Sequence, residues 1–334
     1  MLLLVQPEFW IYFVLFIAAM LALDLGVFNR KDHVVTMRES LIWVSVWVAL
    51  ALGFAWLTLK WFGKEIALQF ITGYVIELSL SVDNVFVIVL LFSYFNVTPQ
   101  YQHRVLFWGI IGALAMRAAF IFAGAALLEN FHWMIYLFGG ILVISGAKML
   151  KQDEDKKIDP EKNIIIRFLR RTMPVSDKFH GNKFFIKENG KNVATLLFVV
   201  LVMVEITDLI FAVDSVPAIL AITREEFIVF TSNAFAILGL RSLYFALAGV
   251  MNLFRFLHYG LSVILIFIGI KMIVSGFYKI PIEWSLVFVV GVLVLSIVLS
   301  LVFPKKKIAS QPYKISEMKI IVTTDFSDNS VAGL

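Results

Sequence analysis

Long apolar segments alternate with short polar segments over most of the chain. Nine of the apolar segments can cross the roughly 30 Å of hydrocarbon in a lipid bilayer. They are predicted at residues 8–28, 41–62, 68–94, 103–127, 131–150, 194–221, 226–252, 258–278 and 283–303. Because only helices and closed barrels satisfy every backbone group in lipid, this pattern predicts an all-α membrane protein with about nine transmembrane helices.

The third to fifth predicted helices repeat in the sixth to eighth. The segment "ELSLSVDNV" at 77–85 matches "DLIFAVDSV" at 208–216. The matched positions are acids, small polar residues, arginines and lysines, and the pairs are Glu77 with Asp208, Asp83 with Asp214, Asn84 with Ser215, Arg117 with Arg241, and Lys148 with Lys271. Because three is an odd number of membrane crossings, the second copy of a three-helix unit has the opposite orientation in the membrane. The sequence therefore predicts two inverted three-helix repeats, with a substrate site near the midplane where the copies meet.

Repeats and polar segments divide the chain into six predicted parts. These are two N-terminal transmembrane helices at 1–66, the first repeat at 67–150, a cytoplasmic basic loop at 151–193, the second repeat at 194–279, a final transmembrane helix at 280–304, and a cytoplasmic tail at 305–334. The loop is predicted to hold a short helix at 163–171 and an exposed hairpin at 183–192. We interpret it as a linker between the membrane halves, with a regulatory or metal-sensing loop as the alternative.

Composition and charge agree with a membrane protein. The chain is 60% hydrophobic and 16% charged, with a mean hydropathy of +0.90, whereas soluble proteins are about half apolar and a quarter charged. The net charge of +5 comes from lysines and arginines in loops beside the membrane, so we predict no nucleic-acid partner. These residues are concentrated in one set of alternate loops, which predicts an outside N-terminus and a cytoplasmic C-terminus.

Carboxylates lie inside the apolar segments, at Glu77, Asp83, Glu205, Asp208 and Asp214. A charge at a helix centre costs about 2.5–3.5 kcal/mol, so five unpaired carboxylates would cost about 12–18 kcal/mol, comparable to the stability of a domain. Arg117 and Arg241 can act as counter-ions or gating residues, but they neutralise two charges at most. A divalent cation would neutralise most of the remainder, and protonation of some acids is the other solution. Structural ion pairs alone are the alternative, although the identical acid spacing in both repeats favours a binding site.

The ligand types predict a hard cation. Glu77 and Asp83 lie about 120° apart on a regular helix, so either the second acid meets an arginine of a neighbouring helix, or the helix breaks and brings both acids to one ion. Pro217 favours a break in the second copy, because it cannot donate to the carbonyl of Val213. With no cysteine in the chain and all five histidines in loops or near segment ends, the ligands are oxygens, including the amide of Asn84. Oxygen ligands suit Mg²⁺, Ca²⁺ and Mn²⁺.

No catalytic motif accompanies these acids in the sequence. His-Glu-x-x-His and serine–lysine arrangements are absent from the apolar segments, which is evidence against proteolysis, and the lack of a Walker motif is evidence against direct use of ATP. We therefore predict a transporter rather than an enzyme, with no cofactor. Its partners would be a divalent metal ion and the lipid bilayer, and the sequence sets no oligomeric state. A non-transporting membrane scaffold is the alternative.

Three motifs resemble signature stretches of the TerC family of bacterial integral membrane proteins, in its Alx-like branch. They are "ELSLSVDNVFV" at 77–87, "VEITDLIFAVDSVPAI" at 204–219 and "SNAFAILGLRSLYF" at 232–245, and the resemblance extends over residues 8–303. The family falls within the LysE-type transporter superfamily. The resemblance implies a protein of the bacterial cytoplasmic (inner) membrane, with a role in manganese export and a historical link to tellurium resistance.

The resemblance also implies which residues handle the metal. By matching position these are Glu77, Asp83, Glu205, Asp208 and Asp214. The leading hypothesis is export of Mn²⁺ from the cytoplasm through a midplane carboxylate site, driven by proton exchange. Export of another cation, or of a small amino acid as in the wider superfamily, is the alternative within the transporter class.

The end of the chain resembles a different family. The segment "MKIIVTTDFSDNSVAGL", from Met318, resembles the first strand and helix start of a universal stress protein. In that family the first-strand aspartate, here Asp325, helps to bind a nucleotide. The segment is far shorter than that domain, so it implies either a chain cut from a longer fusion or a tail that retains the start of a second domain. A nucleotide partner is expected only if the parent chain holds the complete domain.

Overall fold

The helices follow the predicted apolar segments. A computed structural model of the chain describes residues 6–23, 36–151, 171–176, 179–188, 190–248, 256–278 and 280–303. Nine helices lie within these ranges: α1 (Pro7–Leu23), α2 (Met37–Phe62), α3 (Lys64–Tyr94), α4 (Pro99–Asn130), α5 (Met134–Leu150), α6 (Leu196–Leu220), α7 (Glu226–Leu247), α8 (Leu257–Val274) and α9 (Ile282–Val302). The prediction of a helical membrane bundle is confirmed.

Seven of the helices in the described ranges are long and apolar enough to cross a membrane. The other two, α1 and α5, have 17 residues each, which corresponds to about 25 Å of helix. That length is slightly below the roughly 30 Å of hydrocarbon in a bilayer. The helix α5 begins later than predicted because α4 extends to Asn130, beyond its predicted end, and the turn between them occupies the following residues.

The helices α3 and α6 are continuous, so a local break, which was one of two alternatives for these helices, is wrong. The helix α3 runs without interruption from Lys64 to Tyr94. Pro217 lies inside α6, in the last turn before its end at Leu220. At that position the missing N–H removes a hydrogen bond only where the helix is about to finish, so the proline does not divide the helix.

Four helices form the centre of the bundle. The first two helices of each repeat, α3 and α4 on one side and α6 and α7 on the other, contact one another across the repeat boundary. The helix α7 is the most enclosed of the four, and nearly every residue from Phe227 to Ser242 is buried. Around this centre, α2 packs on α3 and α7, α5 packs on α8, and α9 packs on α3 and α8. Polar side chains on the four central helices are therefore held away from lipid.

The third helices of the two repeats, α5 and α8, are in close backbone contact. A Cβ atom on Gly139 would lie 2.9 Å from the carbonyl oxygen of Gly269, and one on Gly146 would lie 2.7 Å from that of Ser262. The helices are antiparallel, because the later residue of α5 contacts the earlier residue of α8. The repeat alignment matches Gly139 with Ser262 and Gly146 with Gly269, so the two contacts are equivalent. This packing has the two-fold relation that the predicted repeat requires, and the inverted orientation in the membrane stays a prediction.

We expect Gly146→Ala to lower the free energy of unfolding by about 1–3 kcal/mol, as overpacking does in other well-packed cores. The added methyl group would meet the backbone of Ser262, which cannot rotate away as a side chain can. Thermal unfolding of the purified protein in detergent measures the effect. Gly140→Ala on the same helix is the control, since its methyl group would meet nothing within 4 Å. Equal melting temperatures for the two variants would contradict the close approach of α5 and α8.

A hairpin precedes the second repeat. Strand β1 (Phe185–Glu188) pairs in antiparallel fashion with β2 (Lys191–Ala194), and Gly190 in the turn has φ of 75°, a conformation that favours glycine. The predicted hairpin at 183–192 is thus confirmed. Thr195, the residue before α6, donates its N–H to the carbonyl of Phe184 at 2.9 Å, which holds the hairpin at the start of α6. Residues 163–170 of the predicted loop helix and the tail at 305–334 lie outside the described residues.

Candidate functional site

Polar side chains meet where the four central helices contact one another. All of them are buried. We call this group the polar centre, and its members are Glu77 and Asn84 from α3, Arg117 from α4, Asp208 and Ser215 from α6, and Asn233 from α7.

Arg117 joins the acids of the two repeats. Its Nε and Nη2 donate to the two carboxylate oxygens of Asp208, at 3.2 and 3.0 Å, which makes a bidentate pair. Its Nη1 donates to Glu77 Oε1 and, at 2.9 Å, to the hydroxyl oxygen of Ser215. Hydrogen bonds between ionised groups of this kind are stronger than neutral ones and fix the orientation of both partners.

Two amides complete the hydrogen bonding of the acids. Asn84 Nδ2 donates to Asp208 Oδ1 at 3.2 Å, and Asn233 Nδ2 donates to Glu77 Oε2 at 3.1 Å. The Asn84–Asp208 contact has a counterpart, because Ser215 and Glu77 share the Nη1 atom of Arg117. Glu77 precedes Asn84 in α3, whereas its neighbour Ser215 follows Asp208 in α6. The two helices are therefore antiparallel.

Glu205 lies at the edge of the polar centre. It precedes Asp208 by about one turn of α6, and the two carboxylates are close enough to interact electrostatically. Its carboxylate lies against the backbone of α4 at Gly112, in the space that a side chain there would occupy. Glu205 Oε2 is buried and has no hydrogen-bond partner in the part of the chain that the structure describes.

Asp83 and Asp214 lie outside the polar centre. Asp214 accepts a hydrogen bond of 2.7 Å from Ser145 Oγ on α5, and Lys148 lies within electrostatic range of it. Asp83 is half-buried, and its Oδ2 atom has no partner among the described residues. The angular offset between the two acids of each motif therefore directs the second acid to a different face, as it does on any regular helix.

The predicted site residues are only partly assembled. Glu77, Asn84, Arg117 and Asp208 come together, and Glu205 is next to them. Arg117 binds Glu77 and Asp208, and Arg241 is buried on α7. Among the described residues, no three His, Cys, Asp or Glu side chains converge as the ligands of a metal ion.

Asn233 is a member of the polar centre that the sequence analysis missed. It lies in the segment "SNAFAILGLRSLYF" at 232–245, two turns before Arg241. A polar amide inside a buried apolar helix is costly unless it is hydrogen-bonded. That cost was the available signal for a partner elsewhere in the bundle.

A cavity lies beside the polar centre, toward one end of the bundle. It lies among α3, α4, α6 and α7. Its polar lining comes from Asn84, Thr207 and Asp208, and most of the remaining wall is apolar. The lining residues Ile88, toward the end of α3, and Leu106, toward the start of α4, place the cavity on the hairpin side of the polar centre.

Continuous apolar helices around a buried network of charges, with a cavity beside it, define a multi-pass integral membrane protein with an internal polar site. More particularly, the chain belongs to the TerC family. The sequence pattern of the family described as "Integral membrane protein TerC family" matches residues 62–308.

Several bacterial proteins are similar to the chain over most of their length. A Myxococcus xanthus protein named "Uncharacterized membrane protein STKORF319" is 53% identical over 297 residues, which cover 89% of this chain and 93% of that protein. Proteins named membrane-bound redox modulator Alx are 45% identical in Photorhabdus laumondii, covering 90% of this chain and 97% of the relative, and 46% identical in Escherichia coli K12, covering 88% and 94%. No solved structure matches the chain.

Proposed function

We propose that this protein is a secondary transporter that exports a divalent cation, Mn²⁺ in the first place, across the bacterial cytoplasmic membrane. The observation that carries the proposal is the polar centre, where acids from both repeats meet around Arg117 in a bundle of apolar helices. Ionisable residues inside a membrane bundle are expensive to bury, and they commonly mark the path of an ion or substrate.

An excess of acids supports a cation as the cargo. When ionised, Glu77, Asp208 and Glu205 carry three negative charges, whereas the buried residues Arg117 and Arg241 carry two positive charges. A buried site with an excess of negative charge attracts a cation, or alternatively protons, because an uncompensated buried charge is unfavourable.

The chemistry of the available ligands narrows the choice of cation. The oxygens in and around the polar centre are those of carboxylates, an amide and a hydroxyl, which suit Mg²⁺, Ca²⁺ and Mn²⁺ better than softer metals. Resemblance to the TerC family favours Mn²⁺ among these ions. The relatives named as redox modulators raise a second possibility, but the 334 residues contain no cysteine, so thiol–disulfide exchange is not available to this chain.

The helix packing supports transport by alternating access. The repeat alignment matches α3 with α6 and α5 with α8. The two helices of each matched pair are antiparallel. In inverted-repeat transporters a central site is opened to each side of the membrane in turn. With the hairpin side in the cytoplasm, as the distribution of basic residues indicates, Asp208 would receive the ion from the cytoplasm, and protons from outside would discharge it.

Ion uptake by everted membrane vesicles tests the proposal. We expect vesicles that contain the protein to accumulate Mn²⁺ above matched vesicles without it, and an acidic lumen to accelerate uptake because protons leave as metal enters. Parallel assays with Mg²⁺, Ca²⁺, Zn²⁺ and small amino acids rank the possible cargoes. Accumulation of an amino acid alone would replace the metal proposal, and accumulation of none of these solutes would favour a membrane scaffold.

A further inference from the structure

An exposed aromatic side chain lies beside the first turn of α6. Phe185, the first residue of β1, is 50% exposed, and its ring centre lies 4.5 Å from that of Phe198, the third residue of α6. The preceding side chain, Phe184, instead packs on the apolar core of the bundle, below the guanidinium group of Arg104. Since α6 is apolar and long enough to cross a membrane, we expect its first turn to lie at the membrane boundary. Phe185 is therefore exposed where water meets lipid.

The hairpin separates its charged side chains between two sides. Because side chains alternate along a strand, Phe185 and Lys187 lie on one side, together with Asn192, which is opposite Lys187 on β2. We call these three residues the outer face, and all three are exposed. Glu188 and Val193 lie on the other side, where Val193 is buried against the protein. The one acid of the two strands is thus kept away from the outer face.

A second lysine lies next to the outer face. Lys183 is exposed and precedes Phe185 by two residues. Its carbonyl oxygen accepts a hydrogen bond of 2.7 Å from the hydroxyl of Thr195, and the N–H of Ala194 donates to the carbonyl of Pro174 at 3.0 Å. These bonds hold the hairpin against the start of α6, so the phenylalanine and the two lysines keep a fixed place at the membrane boundary.

We propose that the outer face of the hairpin, together with Lys183, binds anionic phospholipid at the membrane surface. The lysine ammonium groups would contact the lipid phosphates, and the Phe185 ring would enter the boundary between headgroups and acyl chains. Lysines on a polar side with an apolar aromatic beside them are typical of segments that lie in this boundary, and a negative membrane surface attracts lysines near it.

The distribution of basic loops does not account for this arrangement. The rule that places basic residues in the cytoplasm concerns their number in a loop. It explains neither an exposed phenylalanine between two lysines nor an acid on the opposite side of the hairpin. The proposal adds a binding surface to the protein and does not depend on what the protein transports.

The absence of cysteine from the chain allows a single reporter to be placed on either side of the hairpin. Asn192→Cys carries a fluorophore on the outer face, and Glu188→Cys carries it on the opposite side as the matched control. Each full-length protein is reconstituted in vesicles of phosphatidylglycerol and phosphatidylcholine in equal parts, with bromine in the acyl chains of one of the two lipids. Bromine quenches only a fluorophore that it contacts, so the comparison shows which lipid lies beside the label.

The expected result is a preference for the anionic lipid on the outer face. Brominated phosphatidylglycerol should quench the label of Asn192→Cys more than brominated phosphatidylcholine does, and the difference should be smaller for Glu188→Cys. Adding Lys183→Gln and Lys187→Gln to the Asn192→Cys protein should lower the preference by about fivefold to 25-fold, since each lysine near an anionic surface contributes a factor of about five. High salt should also weaken it, because exposed charges are screened.

A control with the same change in charge lies at the other end of the bundle. Lys60→Gln with Lys64→Gln removes two exposed lysines at the end of α2 and the start of α3. That end is opposite the hairpin, because α3 and α6 are antiparallel. This pair of substitutions should leave the preference at Asn192→Cys unchanged. Melting temperatures show whether each variant is folded.

Every outcome decides the proposal. Equal quenching of the Asn192→Cys label by the two lipids, or quenching by neither, would overturn it. An unchanged preference in the folded variant without Lys183 and Lys187 would overturn it as well. A preference that is lost with these two lysines, and kept without Lys60 and Lys64, supports binding of anionic phospholipid to the outer face.

Discussion

Replacing Arg117 with glutamine is expected to destabilise the protein by about 3–5 kcal/mol, the usual cost of removing one partner from a buried ion pair. Arg117→Gln leaves Glu77 and Asp208 in the centre of the bundle without an opposite charge, and it removes the bidentate pair with Asp208. We expect a lower melting temperature in detergent and less folded protein in the membrane. Size-exclusion chromatography and thermal unfolding of the purified variant measure both effects.

A triple variant distinguishes a charge effect from a loss of shape. In Arg117→Gln, Glu77→Gln, Asp208→Asn the three charges of the Arg117 network are removed together, so none of the three is left without its partner. Replacing every partner of a buried polar network costs much less than orphaning some of them. The triple variant should therefore recover much of the melting temperature while it loses ion transport. A wild-type melting temperature in Arg117→Gln alone would contradict the ion-pair network described above.

The sequence was sufficient to predict the bundle and much of its centre. The apolar segments have the length of transmembrane helices, and the repeat alignment pairs Glu77 with Asp208. Those two acids do meet, around Arg117. The prediction succeeded because repeated motifs at the boundary between two halves are brought together when the halves pack on each other.

The sequence could not predict how the symmetric motifs differ in packing. The alignment treats Asn84 and Ser215 alike, whereas Asn84 donates to Asp208 and Ser215 accepts from Arg117. It also treats Asp83 and Asp214 alike, although Asp214 accepts from Ser145 and Asp83 Oδ2 has no described partner. The two copies of the motif lie in one folded chain but contact different neighbouring side chains. These contacts depend on how the side chains pack, which an alignment of the two copies does not contain.

Asp208→Asn is expected to abolish ion transport while the protein still folds. The asparagine keeps the shape of the side chain, and its carbonyl oxygen can accept one hydrogen bond from Arg117. Arg117 also keeps Glu77 as a partner of opposite charge. The wall of the cavity loses its acid. Under the proposed function we therefore expect transport to fall by about a hundredfold or more, since each 1.4 kcal/mol of lost binding is a factor of ten.

Asp214→Asn is the matched comparison for this variant. It also exchanges an acid for an amide on α6, but Asp214 lies outside the polar centre and the new carbonyl oxygen can still accept from Ser145. We expect a smaller loss of transport than in Asp208→Asn. An equal loss in the two variants would mean that both acids of the motif contribute equally to one ion site.

The proposed function requires that a divalent cation crosses the membrane by way of Asp208 in the polar centre. The most direct test measures the initial rate of radioactive Mn²⁺ uptake into proteoliposomes that hold equal amounts of folded wild-type or Asp208→Asn protein. We expect uptake by the wild type in the presence of an acidic lumen, and the rate of empty liposomes for Asp208→Asn. Equal uptake by the two proteins would show that the ion does not cross by way of Asp208.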